Sequence, residues 1–425
     1  MSMVFEPLTR ISAALLLASA CTAVHAAPLT LDDALRMAEQ HSRLLPAQQA
    51  AATAAREMAV AAGRRPDPVL KAGINNLPVN GPDRFSLTAD FMTMRSLGVM
   101  QEWTRADKLK AGAARYEREA EAADADRQFV LASLQRDTAI AWLERHYLER
   151  MREVLLAQRD EARLQVQGAE AAYRGNRGAQ ADVFAARSAV AQIDDRLAIN
   201  ERELAAAKAM LARWAGNPPE DELGAAPDMA TVRLRPEDLD AGIAHHPQVA
   251  AMLKREAAAQ AQADAARAGK QPDVSLELMV SQRGPAYSNM VSLNVSIPLQ
   301  WDQKNRQDRE LAARLAIVEQ MRAQREEETR MHIAEARTLL LQWNSNRERL
   351  GRYDRELLPL AADRTRAALV AYRAGASPLA SVLDARRGEV ETRMDRLRLE
   401  METARLWAQL NYLVPVGHGT PENQP

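Results

Sequence analysis

The residues able to carry chemistry are few, and their spacing matches no catalytic pattern. His245 and His246 are adjacent, but a metal site needs further ligands that this neighbourhood lacks, and His41, His146 and His332 each stand alone in a helical run. The motifs of serine hydrolases, zinc proteases, phosphate-binding loops and dinucleotide-binding folds are missing from the sequence. We therefore expect neither an enzyme nor a bound cofactor.

Two short motifs predict tight turns between helices. They lie 199 residues apart, and each places Gly or Asn three residues after a tyrosine. Such a residue is expected because a close reversal between antiparallel helices needs a positive φ. The first motif contains Tyr173, Asn176, Arg177 and Asp182, and the second contains Tyr372, Gly375, Ser381, Asp384 and Arg386. Ser381 stands where Asp182 stands in the first motif, so the acidic character of this position is not repeated.

A second repeated motif shows that a complete unit is duplicated. Residues 62–67 (AGRRPD) recur as residues 268–273 (AGKQPD), each time after an alanine-rich helical stretch. The two offsets, 206 and 199 residues, are close enough to belong to one duplication. We predict a first repeat over 27–230, a second repeat over 231–415 and a tail over 416–425.

Each repeat has the pattern of a helix, two strands, a long helix, a turn and a helix. The long helices are expected over about 104–170 and 302–373, and about 70 residues at 1.5 Å each span roughly 105 Å. Helices of that length exceed any globular core, so they must pack side by side as coiled coil. Pro359 is expected to kink or interrupt the second one, because it removes a backbone donor and clashes with the preceding turn.

Strands are expected at about 67–75, 94–101, 273–282 and 290–299. The second pair alternates apolar with mostly polar residues, so each of its strands has one apolar and one largely polar face. This alternation is typical both of a soluble hairpin on a small core and of an outer-membrane barrel. Because a hairpin inserted between such long helices has no other core to cover, the barrel is favoured.

Composition excludes several classes of protein. The 425-residue chain has 56 basic and 57 acidic side chains, so no basic surplus is available to bind nucleic acid or an anionic membrane surface. Aromatic residues make up only 4% of the chain, which is too few for a conventional globular core. Long helices that pack through small residues are favoured instead.

The N-terminus predicts export from the cytoplasm. A basic residue, an apolar run over 11–20 and the small residues around 24–26 are typical of a signal peptide cleaved after residue 26. The run is too short to span the roughly 30 Å of a bilayer as a helix. A lipoprotein signal, in which Cys21 becomes a lipid anchor, is the alternative. In both cases the mature chain is left with no cysteine pair for a disulfide.

The signal peptide, the tandem repeats, the strand pairs and the two turn motifs together resemble the TolC-like outer membrane factors. The resemblance implies a mostly α fold with a β-barrel portion, in which a homotrimer combines four transmembrane β-strands per protomer into a twelve-stranded barrel. The long helices would form a coiled-coil tunnel in the periplasm. A Gram-negative outer-membrane location, contact with its lipid, a periplasmic adaptor protein and an inner-membrane RND transporter are implied as well. An open sheet cannot stand in lipid with unpaired edges, so trimerisation should be obligatory.

Within that family, residues 76–85, 90–94 and 98–102 resemble the heavy-metal efflux channels of the CusC/CzcC type. This resemblance implies an exit channel that exports heavy-metal cations, with copper or silver favoured over cobalt, zinc or cadmium. A duct for drug efflux or for type I protein secretion is the alternative within the fold. A periplasmic coiled-coil scaffold without a pore is the alternative of another class, but it has no need of lipid-facing strands.

Five methionines lie in or beside the strands: Met92, Met94, Met100, Met279 and Met290. Thioethers are soft ligands that suit Cu(I). Methionine is also a common flexible filler of apolar space, and that interpretation is favoured, so no metal ligand is predicted.

The resemblance also places the two turn motifs at the periplasmic tip, where the tunnel closes at rest and meets the adaptor. Threefold symmetry would bring three copies of Asp182 near one axis, where they would select cations. Capping of its own helix is the alternative role of Asp182. The resemblance makes the residues of both motifs candidates for the gate. Inter-helix hydrogen bonds would hold the tip closed, and the residues that could form them are Tyr173, Tyr372, Arg177 and Arg386.

Overall fold

The computed structural model describes residues 28–216, 222–234, 242–243 and 246–416. The predicted signal peptide, Cys21, His245 and the tail beyond residue 416 lie outside the described residues. None of the described helices contains a stretch long and apolar enough to cross a membrane.

The described part of the first half contains four helices and two strands. They are α1 (Leu31–His41), α2 (Leu44–Ala62), β1 (Val69–Asn75), β2 (Met94–Trp103), α3 (Ala106–Arg174) and α4 (Gln180–Ala215). The described part of the second half repeats this order from α2 onward. Its elements are α5 (Pro247–Ala268), β3 (Val274–Gln282), β4 (Met290–Ser296), α6 (Gln307–Arg352), a π-helical turn (Tyr353–Leu357), α7 (Leu358–Arg373) and α8 (Leu379–Asn411).

One very long helix organises each half. Helix α3 has 69 residues and is therefore about 100 Å long. Two shorter helices, α2 and α4, pack against it, and α5 and α8 of the second half contact it as well. The matching helix of the second half runs through α6, the π turn and α7, and it packs against α5 and α8. The side-by-side packing of long helices is the arrangement that the sequence predicts.

Pro359 does not break this second long helix. The π turn comes directly before it, and the backbone N–H of Leu358 donates to the carbonyl oxygen of Tyr353, five residues back. One extra residue in the turn lets the helix pass a position that has no N–H to donate, and Pro359 becomes part of the first turn of α7. The predicted interruption is therefore a local change of helix type.

The main core lies where α1, α3, α4 and α8 meet. The side chain of Trp142 is fully buried there, and its Nε1 donates to the carbonyl oxygen of Leu29 at 3.0 Å. The backbone of Leu29 also pairs with Glu222 and Gly224 through hydrogen bonds of 3.0 Å each. The start of the described chain is thus fixed to the connection between the two halves.

The four strands form one antiparallel sheet in the order β1-β2-β3-β4. The central pairing joins the two halves, with Val99 of β2 opposite Leu278 of β3. Strand β4 ends at Ser296, short of the expected residue 299; its last pairing is with Ser275 of β3, and Pro298, two residues further on, has no N–H to donate to the sheet. Strands β1 and β4 are the two edges of the sheet.

A pair of stacked histidines, 86 residues apart in the chain, joins α5 to α6. His246 caps α5, and its Nδ1 accepts the backbone N–H of Gln248 at 3.3 Å. Its ring stacks on that of His332 at 4.5 Å between centroids, and the two nitrogens of His332 each lie 3.3 Å from a carboxylate oxygen, of Glu328 and of Glu335. Burial, together with the nearby His332 and the Arg136 of α3, lowers the pKa of His246 to about 4.

Acid should therefore loosen this junction. His246 stays neutral in the folded protein down to pH 4, whereas an unfolded chain protonates it below about 6.5, so the free energy of unfolding falls as the pH drops through that window. We expect the loss attributable to His246 to reach about 3 kcal/mol at most. His246→Asn keeps a capping acceptor but does not titrate. Thermal unfolding of the purified protein from pH 7 to pH 4, followed by circular dichroism, should show a weaker pH dependence in this variant. An unchanged dependence would contradict the assignment.

Candidate functional site

The sheet has an apolar face that none of the described residues covers. Residues directly opposite each other in the register share a face, and one face carries nine large aliphatic side chains that are all about half exposed or more. They are Leu70, Ile74, Leu97, Val99, Leu278, Val280, Val291, Leu293 and Val295. The exposed alternation continues past β4 through Ile297 and Leu299. A soluble hairpin packed on a core would bury these side chains, so the structure argues against that interpretation.

The other face of the sheet is polar and is better covered. Ser96 and Ser281 lie opposite each other there and are buried. The Lys71 Nζ reaches across β2 to Glu277 and donates to its Oε2 at 2.6 Å. A side chain on the intervening Gly98 would lie 2.8 Å from the carbonyl oxygen of Leu278, so only glycine fits between these strands.

Four of the five methionines singled out from the sequence lie on this polar face. Met94 and Met100 of β2, Met279 of β3 and Met290 of β4 all pair with polar-face residues. Met92 lies in the loop before β2, where its backbone N–H donates to Asp90. In the part of the chain that the structure describes, no three His, Cys, Asp or Glu side chains are placed to hold a metal ion.

The loops at the far end of the sheet pack on each other, which the sequence did not predict. Arg283, just after β3, donates to the carbonyl oxygen of Phe91 at 3.3 Å and to that of Ser288 at 2.9 Å. A Cβ on Gly284 would come within 1.9 Å of the carbonyl oxygen of Thr88, so the two loops touch through backbone. Gly284 itself was the one feature of the sequence that could have indicated this close contact between the loops.

At the opposite end of the molecule, the two turn motifs have the same geometry. Asn176 and Gly375 have φ values of 53° and 75°. In both turns the next N–H reaches back five residues, from Arg177 to Ala172 at 2.8 Å and from Ala376 to Ala371 at 2.9 Å. This bond and the positive φ are the Schellman pattern of helix ends. The expected need for Asn or Gly at this position is confirmed.

The two turns differ at the start of the following helix. The carboxylate of Asp182 accepts the backbone N–H of Ala179 at 3.1 Å and so satisfies a free donor at the beginning of α4. In the second turn the matching residue is Pro378, which has no N–H, and Ser381 replaces the aspartate. The loss of the acidic residue thus coincides with the loss of the donor that it serves, which supports the capping role of Asp182.

The two turns lie together, because one small apolar cluster contains residues of α3, α4, α7 and α8. Tyr372 packs against this cluster, whereas Tyr173 and Arg177 are exposed. Arg386 forms an ion pair with Glu161, which joins α8 to α3. Asp384 is exposed and lies 3.9 Å from Arg387 of its own helix.

Residues 239–414 match the family model described as outer membrane efflux protein. No curated protein sequence gave a match. Solved structures with the same fold include the outer-membrane channel OprN, with 20% identity, a TM-score of 0.75 and coverage of 91% of this chain and 90% of that one. CusC has 17% identity, a TM-score of 0.76 and coverage of 91% and 92%. The outer membrane protein VceC from Vibrio cholerae has 20% identity, a TM-score of 0.73 and coverage of 90% and 95%.

The family and two of these structures are described as outer-membrane proteins, the location that the sequence predicts. The chain has the fold of these structures over nine-tenths of its length, and its second half carries the sequence pattern of the outer membrane efflux protein family.

Proposed function

We propose that three copies of this chain form an outer-membrane exit channel, with a twelve-stranded barrel in the membrane and a helical tunnel in the periplasm. The observation that carries the proposal is the sheet, which exposes a continuous apolar face and has two unpaired edges. Lipid solvates the apolar face but offers no partner for the N–H and C=O groups of an edge strand. Closure with other copies satisfies both needs, and a coiled-coil scaffold in water would satisfy neither.

The internal repeat predicts how the edges join. Leu70 pairs with Val99 in the first hairpin, and Leu276 pairs with Val295 in the second, so Val295 is the counterpart of Val99. Since Val99 faces Leu278 across the central pair, Val295 should face the counterpart of Leu278 in a neighbouring copy. That counterpart is Ala72, and the same reasoning places Asn294 opposite Gly73.

Cysteine pairs test this register and the assembly together. With Cys21→Ala as background, Val295→Cys combined with Ala72→Cys, and Asn294→Cys combined with Gly73→Cys, should form disulfides between copies after oxidation of outer membranes. One of the two pairs is of the closer, non-hydrogen-bonded kind. We expect covalent trimers on non-reducing gels. Val295→Cys combined with Lys71→Cys is the matched control, because its two side chains point to opposite faces. Monomers in both test pairs, or a protein found with the soluble periplasmic contents, would contradict the proposal.

A channel of this kind needs partners that supply energy and connect it to the inner membrane. We propose that the tip formed by the two Schellman turns meets a periplasmic adaptor protein and, through it, an inner-membrane RND transporter. The exposed side chains at the turns, Tyr173 and Arg177 among them, support a contact surface at this end. The same tip, with Asp182 and Asp384, is proposed as the resting gate.

Removing the charge of Asp182 should separate its two roles. Asp182→Asn retains an oxygen that can accept the Ala179 N–H, so α4 keeps its cap, whereas Asp182→Ala loses both and should cost about 1 kcal/mol. If three carboxylates line the gate, both variants should reduce the block of single-channel current by trivalent cations in planar bilayers. Ser381→Ala serves as the control at the matching position. Wild-type block in Asp182→Asn would leave only the capping role.

We propose heavy-metal cations, with copper or silver favoured, as the cargo. The resemblance of residues 76–85, 90–94 and 98–102 to heavy-metal efflux channels supports this choice, since the fold itself is shared almost equally with three differently named proteins. Deletion of the gene should sensitise cells to copper or silver salts more than to detergents or antibiotics, as measured by growth inhibition. Sensitivity to antibiotics alone would favour drug efflux, and a defect confined to a secreted protein would favour type I secretion.

A further inference from the structure

The methionines of the strands are sorted onto one face of the sheet. Met94, Met100, Met279 and Met290 all lie on the polar face, and the apolar face carries leucine, isoleucine and valine instead. A filler residue would serve equally well on the face that meets lipid. On the polar face, among serines and asparagines, each long aliphatic position of the strands is a methionine and none is a leucine or isoleucine.

Three of these methionines form a diagonal line across neighbouring strands. Met100 lies opposite Glu277, two residues from Met279, and Met290 lies opposite Ser281, also two residues from Met279. Diagonal neighbours in an antiparallel sheet are about 7–8 Å apart, which long side chains can bridge. The thioethers of Met100 and Met290 can therefore each approach that of Met279.

The surroundings of Met279 leave room for a ligand. Its partners across the two neighbouring strands are Gly98 and Ser292, which have no side chain or a small one. The nearby charges of Lys71 and Glu277 are joined in an ion pair, so they largely cancel. An uncharged set of soft sulfur ligands in a small-residue environment suits a soft monovalent cation rather than a hard divalent one.

We propose that Met100, Met279 and Met290 form a thioether site for Cu(I) or Ag(I) on the inner face of the sheet. The inference rests on the proposed channel, in which this face lines the pore. Thioethers bind such ions without a charge of their own, and a channel conducts only when binding is weak enough to release the ion. The site would therefore act as a stepping point for the cargo and would set a preference for soft ions.

The test is titration of the purified full-length protein with silver nitrate in chloride-free buffer, followed by calorimetry. The triple variant Met100→Leu, Met279→Leu, Met290→Leu keeps the side-chain volumes. We expect it to lose the strongest silver-binding step. The control triple Met58→Leu, Met210→Leu, Met331→Leu replaces exposed methionines of the helices and should keep that step. Equal silver binding in the wild type and the inner-face triple would overturn the proposal.

Two further measurements keep the outcome decisive. X-ray absorption of the silver-loaded wild type should show sulfur neighbours even if the triple variant fails to fold, and a shell of only oxygen or nitrogen would overturn the site. Conductance in planar bilayers without silver tests the channel separately. A conducting protein that binds no silver through sulfur loses this inference alone. A protein that conducts no current loses the proposed channel, whatever its silver binding.

Discussion

The unpaired edges of a four-stranded sheet are the constraint on which the rest of the structure depends. Its apolar face requires lipid, and in lipid each free N–H and C=O of β1 and β4 lacks a partner. One chain is therefore incomplete by itself. The duplication supplies the solution, because the interface that joins β2 to β3 inside the chain can be reused between β4 and the β1 of another copy. In the proposed channel, the long helices continue from a closed ring of strands.

The same duplication governs the tip, where local backbone chemistry accounts for an exception. Both turns close with the same backward hydrogen bond and a positive φ, so Asn176 and Gly375 have the same conformational role in the two turns. Asp182 is retained where Ala179 has an N–H to satisfy, and serine appears where Pro378 has none. Ser381 looks like a missing member of an acidic ring. Its lack of a carboxylate is explained by Pro378, which offers no N–H for an acidic side chain to accept. Any gate charge at Asp182 is an additional use of a residue that the helix end already needs.

Periodicity and turn chemistry are enough to predict most of this fold from the sequence. Alternation located the second pair of strands, the internal repeat placed the first pair, and the tyrosine motifs located both turns. Contacts between distant segments had no such signal. The stacking of His246 on His332 and the approach of Gly284 to Thr88 depend on how α5 meets α6 and how two loops meet. Pro359 was identified correctly as a disturbance, but only the structure shows that a π turn absorbs it.

The sorting of methionine was present in the sequence and became interpretable only with the register. Met94 and Met100 have the opposite parity to Leu97 and Val99, so in β2 the two kinds of side chain must face opposite ways. Parity alone does not say which face meets lipid. Exposure decides this, since the leucines and valines stand uncovered while the methionines share their face with buried serines. Leucine and methionine have similar volume and apolar character, so their separation onto two faces points to the one property that distinguishes them here, the sulfur atom.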